Sequence, residues 1–202
     1  MPSFFRSLRT PLLAAVAAAS LSACIGLGGK TPPFLLTLDA DGTPPAGAAR
    51  TASEAATLTI LIPTAPQKLR TTRIPVQQDG SSVTYVKDAQ WVEAPQRLFQ
   101  RLVSETISSR SSRVVLDEGQ YLTAPGEQLA GQLMEFGVDA RTNEAVVVYQ
   151  AMLVSAGGKT VTQRRFEARE AIGGKVESKP VGEALTRAAN KVAVEVTDWL
   201  AS

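Results

Sequence analysis

From Thr57 onward the chain alternates apolar and polar positions in short runs, twice interrupted by helical spacing. In "TLTILIP", Leu58, Ile60 and Ile62 alternate with Thr59 and Leu61, which predicts a strand ended by Pro63. "LRTTRIPVQ", residues 69–77, predicts a weaker extended segment, with Pro75 favouring an edge position. "SSVTYVKDAQWVE" holds two alternating runs around Lys87-Asp88-Ala89-Gln90, the pattern of a hairpin, and Asp79-Gly80 marks a further turn before it. Pro95 then suits the first turn of a helix, where its missing N–H costs little. Leu98, Leu102, Val103 and Ile107 recur at helical spacing up to the polar run at 108–113.

"RVVL" predicts a short strand, followed by a turn at Asp117-Glu118-Gly119. Three alternating runs follow, "QLAGQLMEFGVDA", "EAVVVYQAMLVSA" and "KTVTQRRFEARE", joined at Thr142-Asn143 and Gly157-Gly158. They predict an antiparallel meander. Val181, Leu185, Ala188, Val192, Val196 and Trp199 then repeat every three or four residues, with Ser178 as the expected N-cap and Pro180 in the first turn. Two amphipathic helices packed on one face of a mixed, mostly antiparallel sheet would bury both apolar stripes, an α/β (α+β) architecture.

The first 33 residues follow another logic. Arg6 and Arg9 precede a short apolar run from Leu12 to Leu21, and Leu21-Ser22-Ala23-Cys24 follows. A charged start, about ten apolar residues and small residues before a cut describe an export signal. The run is too short for a hydrocarbon core that needs about 20 apolar residues. Residues 1–23 are therefore expected to be a signal peptide and 24–33 a modified cysteine with a Gly- and Pro-rich tether. Residues 34–202 would form one periplasmic domain, opening on a candidate strand "FLLTL" and an exposed loop at 39–56. Cys24 is the only cysteine. It can form no internal disulfide, and lipidation would remove an exposed thiol from an exported protein.

Cleavage before Cys24 removes two of the 21 basic residues, leaving 19 against 19 acidic ones, so the alkaline pI of the whole chain says nothing about nucleic acid. No basic run interleaved with aromatics offers a nucleic-acid footprint. Histidine is absent, which excludes Ser-His-Asp and Cys-His catalysis and most zinc sites. Asp117 and Glu118 adjoin on a turn and point apart. Arg164 and Arg165 are read as a charged strand face paired with Glu167 or Glu170. No phosphate loop occurs. The expectation is a protein without enzymatic activity, metal or cofactor, apart from the diacylglycerol and N-acyl chain on Cys24.

Leu-Ser-Ala-Cys resembles the lipobox of bacterial lipoproteins. With it come "FLLTL", "TLTILIP", and "VTYVKDAQWVEAPQRLFQRLV" with its tyrosine, short turn, tryptophan, proline and helix. The meander with "LAGQLMEFGVD" and "RRFEARE", and a closing helix ending in Trp-Leu, complete the series. In that order the chain resembles the ABC-type transport auxiliary lipoprotein family, the PqiC-like lipoproteins that accompany MCE-domain lipid transport systems. The resemblance implies a fold like the amino-terminal domain of TolB. It also implies a non-enzymatic role in holding or receiving a periplasm-spanning MCE-domain protein at a membrane, while a separate ABC permease and ATPase supply passage and energy. Ile25 stands where aspartate would signal inner-membrane retention, so by analogy with Gram-negative lipoproteins the expected address is the outer membrane, facing the periplasm. Docking to a multimeric partner favours a homo-oligomer.

Within this frame Tyr85, Trp91 and Pro95 are read as motif and architecture. Tyr85 and Trp91 would touch across the hairpin, and Pro95 would set the entry of the helix. Lys87 and Asp88, in the exposed turn, are the candidate docking residues. Three alternatives to the adaptor role stay open: a lipoprotein that itself carries lipid, a general envelope scaffold, and an envelope hydrolase.

Overall fold

The computed structural model describes residues 32–44, 46–47, 49–51, 53, 57–120 and 126–202. The signal segment, Cys24 and the tether up to Thr31 lie outside them. Among these residues seven strands and two α-helices follow one another as β1 Thr57–Ile60, β2 Arg73–Gln77, β3 Val83–Gln90, α1 Pro95–Arg110, β4 Val114–Asp117, β5 Glu127–Asp139, β6 Glu144–Val154, β7 Val161–Ala171 and α2 Ser178–Leu200.

The 13-residue strand β5 organises the sheet. One of its edges carries β6 along almost its whole length, and β7 continues the meander beyond β6, all antiparallel. Its other edge is shared. β1 pairs in parallel with Glu127–Leu129, and β2 pairs in parallel with Val138 and Asp139. β4 lies outside β1 and β3 outside β2. The sheet is thus mixed, antiparallel over most of its paired length, as the alternation predicts.

Both helices cover one face. Phe99 of α1 meets Tyr149 of β6 edge-on at 5.1 Å, and Trp199 of α2 meets Phe166 of β7 at 5.7 Å; Tyr149 and Phe166 are themselves register partners. Leu98, Phe99, Leu102, Val103 and Ile107 on α1 are buried, as are Val181, Leu185, Ala188, Val192 and Val196 on α2. Each buried valine, leucine, isoleucine or phenylalanine among them contributes about 1.5–3 kcal/mol, and Ala188 less. Thr106 and Thr197 share those faces and satisfy their hydroxyls on the carbonyls one turn back, Leu102 and Ala193, both at 2.8 Å.

Four sequence expectations change. β2 is interior rather than an edge, and Pro75 is tolerated there because the ladder is already broken beside it. Between the pairs Arg73–Gln90 and Pro75–Tyr85, four residues of β3 face the single residue Ile74. That bulge is where a hairpin was expected, so 83–90 is one strand, with Asp88 in the left-handed region at φ 51°. "FLLTL" forms one parallel bridge, Leu36 to Trp91, and no strand. Helix α2 begins at Ser178, with Glu177 as the cap residue and no side-chain cap; the Ser178 hydroxyl is buried without a partner among the described residues.

The segment from Leu36 to Gly42 crosses the helix face as a strap. The Leu36 amide donates to the Gln90 carbonyl at 2.8 Å, and the Val92 amide donates to the Leu36 carbonyl at 2.9 Å. Further on, buried Asn190 of α2 accepts from the Asp41 amide at 3.0 Å and donates to the Asp39 carbonyl at 2.9 Å.

Candidate functional site

The sheet face away from the helices carries a lattice of charge. Successive registers across β5, β6 and β7 read Glu135–Val148–Glu167 and Gly137–Val146–Arg169. Val146 and Val148 are only 7% and 2% exposed although no helix covers them. Glu135 and Glu167 flank Val148 and Arg169 flanks Val146, and the stems of such side chains shield apolar surface while their heads stay in water. Arg169 reaches Glu167 at 2.9 Å, Glu144 at 3.4 Å and Asp139 at 3.6 Å. Arg165 pairs with Glu167 at 3.6 Å, as read from sequence, while Arg164 lies over the Phe166 ring at 5.2 Å instead. The other expected acid, Glu170, is held by Arg187 and Lys191 of α2.

Beside the lattice a cleft of about 450 Å³ opens between the β2–β3 turn and the ends of β5–β7. Pro75, Gly137 and Val146 are among its apolar lining residues, and Lys68, Gln77, Asp79, Glu135, Asp139, Arg141 and Arg169 among its polar ones. Gly137 is required there: a β-carbon would stand 2.4 Å from the Pro75 carbonyl oxygen. The charges are paired among themselves. Lys68 meets Glu135 at 2.6 Å, and Arg141 clamps Asp139 through Nε at 3.2 Å and Nη2 at 3.1 Å. Asp79 accepts from the Ser81 and Ser82 amides at 2.7 and 2.8 Å and from both hydroxyls, which closes the β2–β3 turn.

Every displaced pKa moves away from neutrality. The Arg141 hydrogen bond holds the Asp139 carboxyl below its ordinary value against the opposing effect of burial. Lys191 does the same for Glu170, and the Ser82 and Ser81 hydrogen bonds do so for Asp79. Burial pushes the Tyr149 phenol up, and its hydroxyl donates to the Ala130 carbonyl at 2.8 Å. A general acid or base for neutral pH needs a shift in the other direction. Among the described residues no group of His, Cys, Asp and Glu could hold a metal ion.

The sequence-derived residues do not converge on this cleft. Tyr85 and Trp91 make no cross-strand pair: Tyr85 sits under the Arg73 guanidinium, 3.8 Å from its ring centre, and Trp91 is buried edge-on to Phe136 at 5.6 Å. Pro95 occupies the first turn of α1 as expected. Lys87 and Asp88 are exposed on the β3 bulge, between buried Val86 and Ala89. The cleft residues Lys68, Glu135, Asp139, Arg141 and Arg169 were not singled out from sequence. The available signal was charge at even spacing, Glu135 and Asp139 on β5 and Arg165, Glu167 and Arg169 on β7, which puts each set on one face.

The fold defines a class: a mixed seven-stranded sheet with two helices packed on one face and a lattice of paired charges on the other. The chain matches the family model described as ABC-type transport auxiliary lipoprotein component over residues 37–197, and it belongs to that family. Solved structures agree on the fold. The crystal structure of XCC0632 from Xanthomonas campestris, of family DUF330, superposes with a TM-score of 0.66 at 18% identity, covering 83% of this chain and 93% of that one. A crystal structure of an uncharacterized protein gives 0.62 at 12% identity over 72% and 92%. No curated protein matches the chain. Membership makes it an auxiliary component of an ABC-type transport system and a member of a lipoprotein family. No helix among the described residues is long and apolar enough to cross a membrane.

Proposed function

We propose that the protein is a non-enzymatic adaptor of an MCE-type ABC lipid transport system, tethered to the outer membrane through acyl chains on Cys24 and docking the periplasm-spanning MCE-domain component. The observation that carries this reading is the family match over residues 37–197, taken with the Leu-Ser-Ala-Cys sequence upstream of it. Supporting it, the domain offers paired charges and no proton donor or acceptor displaced toward neutral pH. A lipid carrier would need an enclosed apolar chamber; the cleft on the outer sheet face is lined by ion pairs instead. Lys87 and Asp88 stand out from the β3 bulge on an edge strand, where a partner has unobstructed access. Anchoring raises local concentration, so modest contacts to a multimeric partner suffice, and a homo-oligomer of matching symmetry follows from the same reasoning.

Capture of the MCE-domain protein from detergent-solubilised envelopes by the mature lipoprotein tests the reading. Lys87→Glu with Asp88→Lys should weaken capture while the melting temperature holds. Failure of the unaltered protein to capture any MCE-domain component would refute the adaptor role.

A further inference from the structure

Five large apolar residues are exposed among the described residues, and three of them flank the Leu36–Trp91 bridge: Phe34 at 47%, Leu35 at 50% and Val92 at 48%. Leu36 and Trp91 turn inward, while Leu35 and Val92, one position away on each segment, are left outward, with the Val92 amide bonded to the Leu36 carbonyl. Beside Leu35 runs an open groove of about 510 Å³ along the first turns of α2, lined by exposed Lys179 and Arg187 and by exposed Asp39 and Glu183. An exposed apolar cluster bordered by charged side chains, cations among them, can settle at a headgroup boundary.

We infer that Phe34, Leu35 and Val92 form a membrane-contact patch that seats the domain on the bilayer holding its lipid anchor. The inference rests on the acylation of Cys24 proposed above, and chain length supplies the argument. Residues 25–33 separate Cys24 from Phe34, nine in all. Even fully extended, nine residues span only about 30–32 Å. A domain of about 170 residues is roughly 40 Å across by the usual size scaling. The reach is shorter than the domain, so the face where the chain emerges must be the face nearest the headgroups. That face carries the exposed apolar cluster. The other two exposed residues, Val83 and Val161, lie on β3 and β7 and have no such constraint.

Acylation consumes the only native cysteine, so a new thiol is unique in the mature protein. Leu35→Cys and, as a control at the opposite edge of the sheet, Val161→Cys would each carry an environment-sensitive fluorophore. Both side chains are exposed, so the substitutions leave the core intact. The full acylated protein is reconstituted in phosphatidylethanolamine–phosphatidylglycerol vesicles containing acyl-brominated lipid. The label at 35 should be quenched by the brominated chains about threefold more than the label at 161, as for a group roughly 5–10 Å into the interface. Equal access of aqueous iodide to both labels, with no bromolipid quenching at 35, would overturn the patch. Protection of position 35 from iodide and bromolipid alike would also overturn it, in favour of a protein occupant. An intact mass without acyl chains, or vesicle association that survives Cys24→Ser, defeats the anchor reading instead; an acylated, vesicle-bound protein with a wet label defeats the patch alone.

Discussion

The side chain of Leu36 rests on the α-carbon of Gly182: a β-carbon built at 182 would stand 2.8 Å from Leu36 Cδ2. The helix accepts a glycine, which costs up to about 1 kcal/mol relative to alanine, so that the strap can lie against it. Gly182→Leu should expel Leu36, destabilise the domain by about 1–3 kcal/mol, and raise hydrogen exchange at residues 34–38 ahead of the sheet. Unchanged exchange there would show that the strap does not depend on this contact.

Asn190 is the strap's second fastening, buried and bonded to Asp39, Asp41 and the Thr186 carbonyl. Asn190→Ala removes all three bonds and should cost about 2–3 kcal/mol in chemical denaturation, each hydrogen bond contributing roughly 0.5–1.5. The slope of the transition should stay constant, since the same surface unfolds.

Trp91 carries a buried indole N–H with no partner among the described residues. Trp91→Phe keeps an aromatic edge for Phe136 and removes the unsatisfied donor, so its cost should stay near 1–2 kcal/mol, against about 3–5 for Trp91→Ala. A Phe variant as damaged as the Ala variant would reveal a hidden acceptor for the indole.

At Gly131 the chain takes φ 153°, and a β-carbon would meet the Gln150 carbonyl oxygen at 2.3 Å. The neighbour is backbone of the paired strand and cannot step aside. Gly131→Ala should cost about 3 kcal/mol or more, read as a melting temperature well below that of the native chain.

Asp139 and Glu170 are held below ordinary values of 3.8 and 4.5 by Arg141 and Lys191, respectively. A carboxylate depressed in the folded state contributes stability above its unfolded pKa, and that contribution is lost as pH falls through the folded value. The melting temperature should therefore be flat from neutrality down to about pH 5.5 and fall below about pH 4.5. Asp139→Asn with Glu170→Gln should lower the plateau and flatten the acid limb, as thermal scans across pH would show.

The meander and both helices were legible because each buries one face, and period 2 or 3.6 records that directly in β5–β7, α1 and α2. The errors fall where pairing is set by distant chain. Lys87-Asp88-Ala89-Gln90 has turn composition, yet here it is a bulge whose excess residues are accommodated against Ile74, and polarity alone cannot tell the two apart. Pro75 suggests an edge, but a proline sits inside a sheet when Gly137 lets its carbonyl approach and the bulge has already broken the ladder. The buried Thr59 on β1 reflects a central position that alternation could not report. The cleft escaped because its charges come from four separate segments, each unremarkable alone.

The strap has a mechanical meaning for a domain loaded from its N-terminal side. Tension arriving at Phe34 does not run straight into β1, which lies between β4 and β5. It meets first the two hydrogen bonds to Gln90 and Val92 at the sheet's edge, then the buried clasp at Asn190 on α2. The load is divided between the two layers before it reaches the core, and a yielding strap would lengthen the leash while the sheet stays whole.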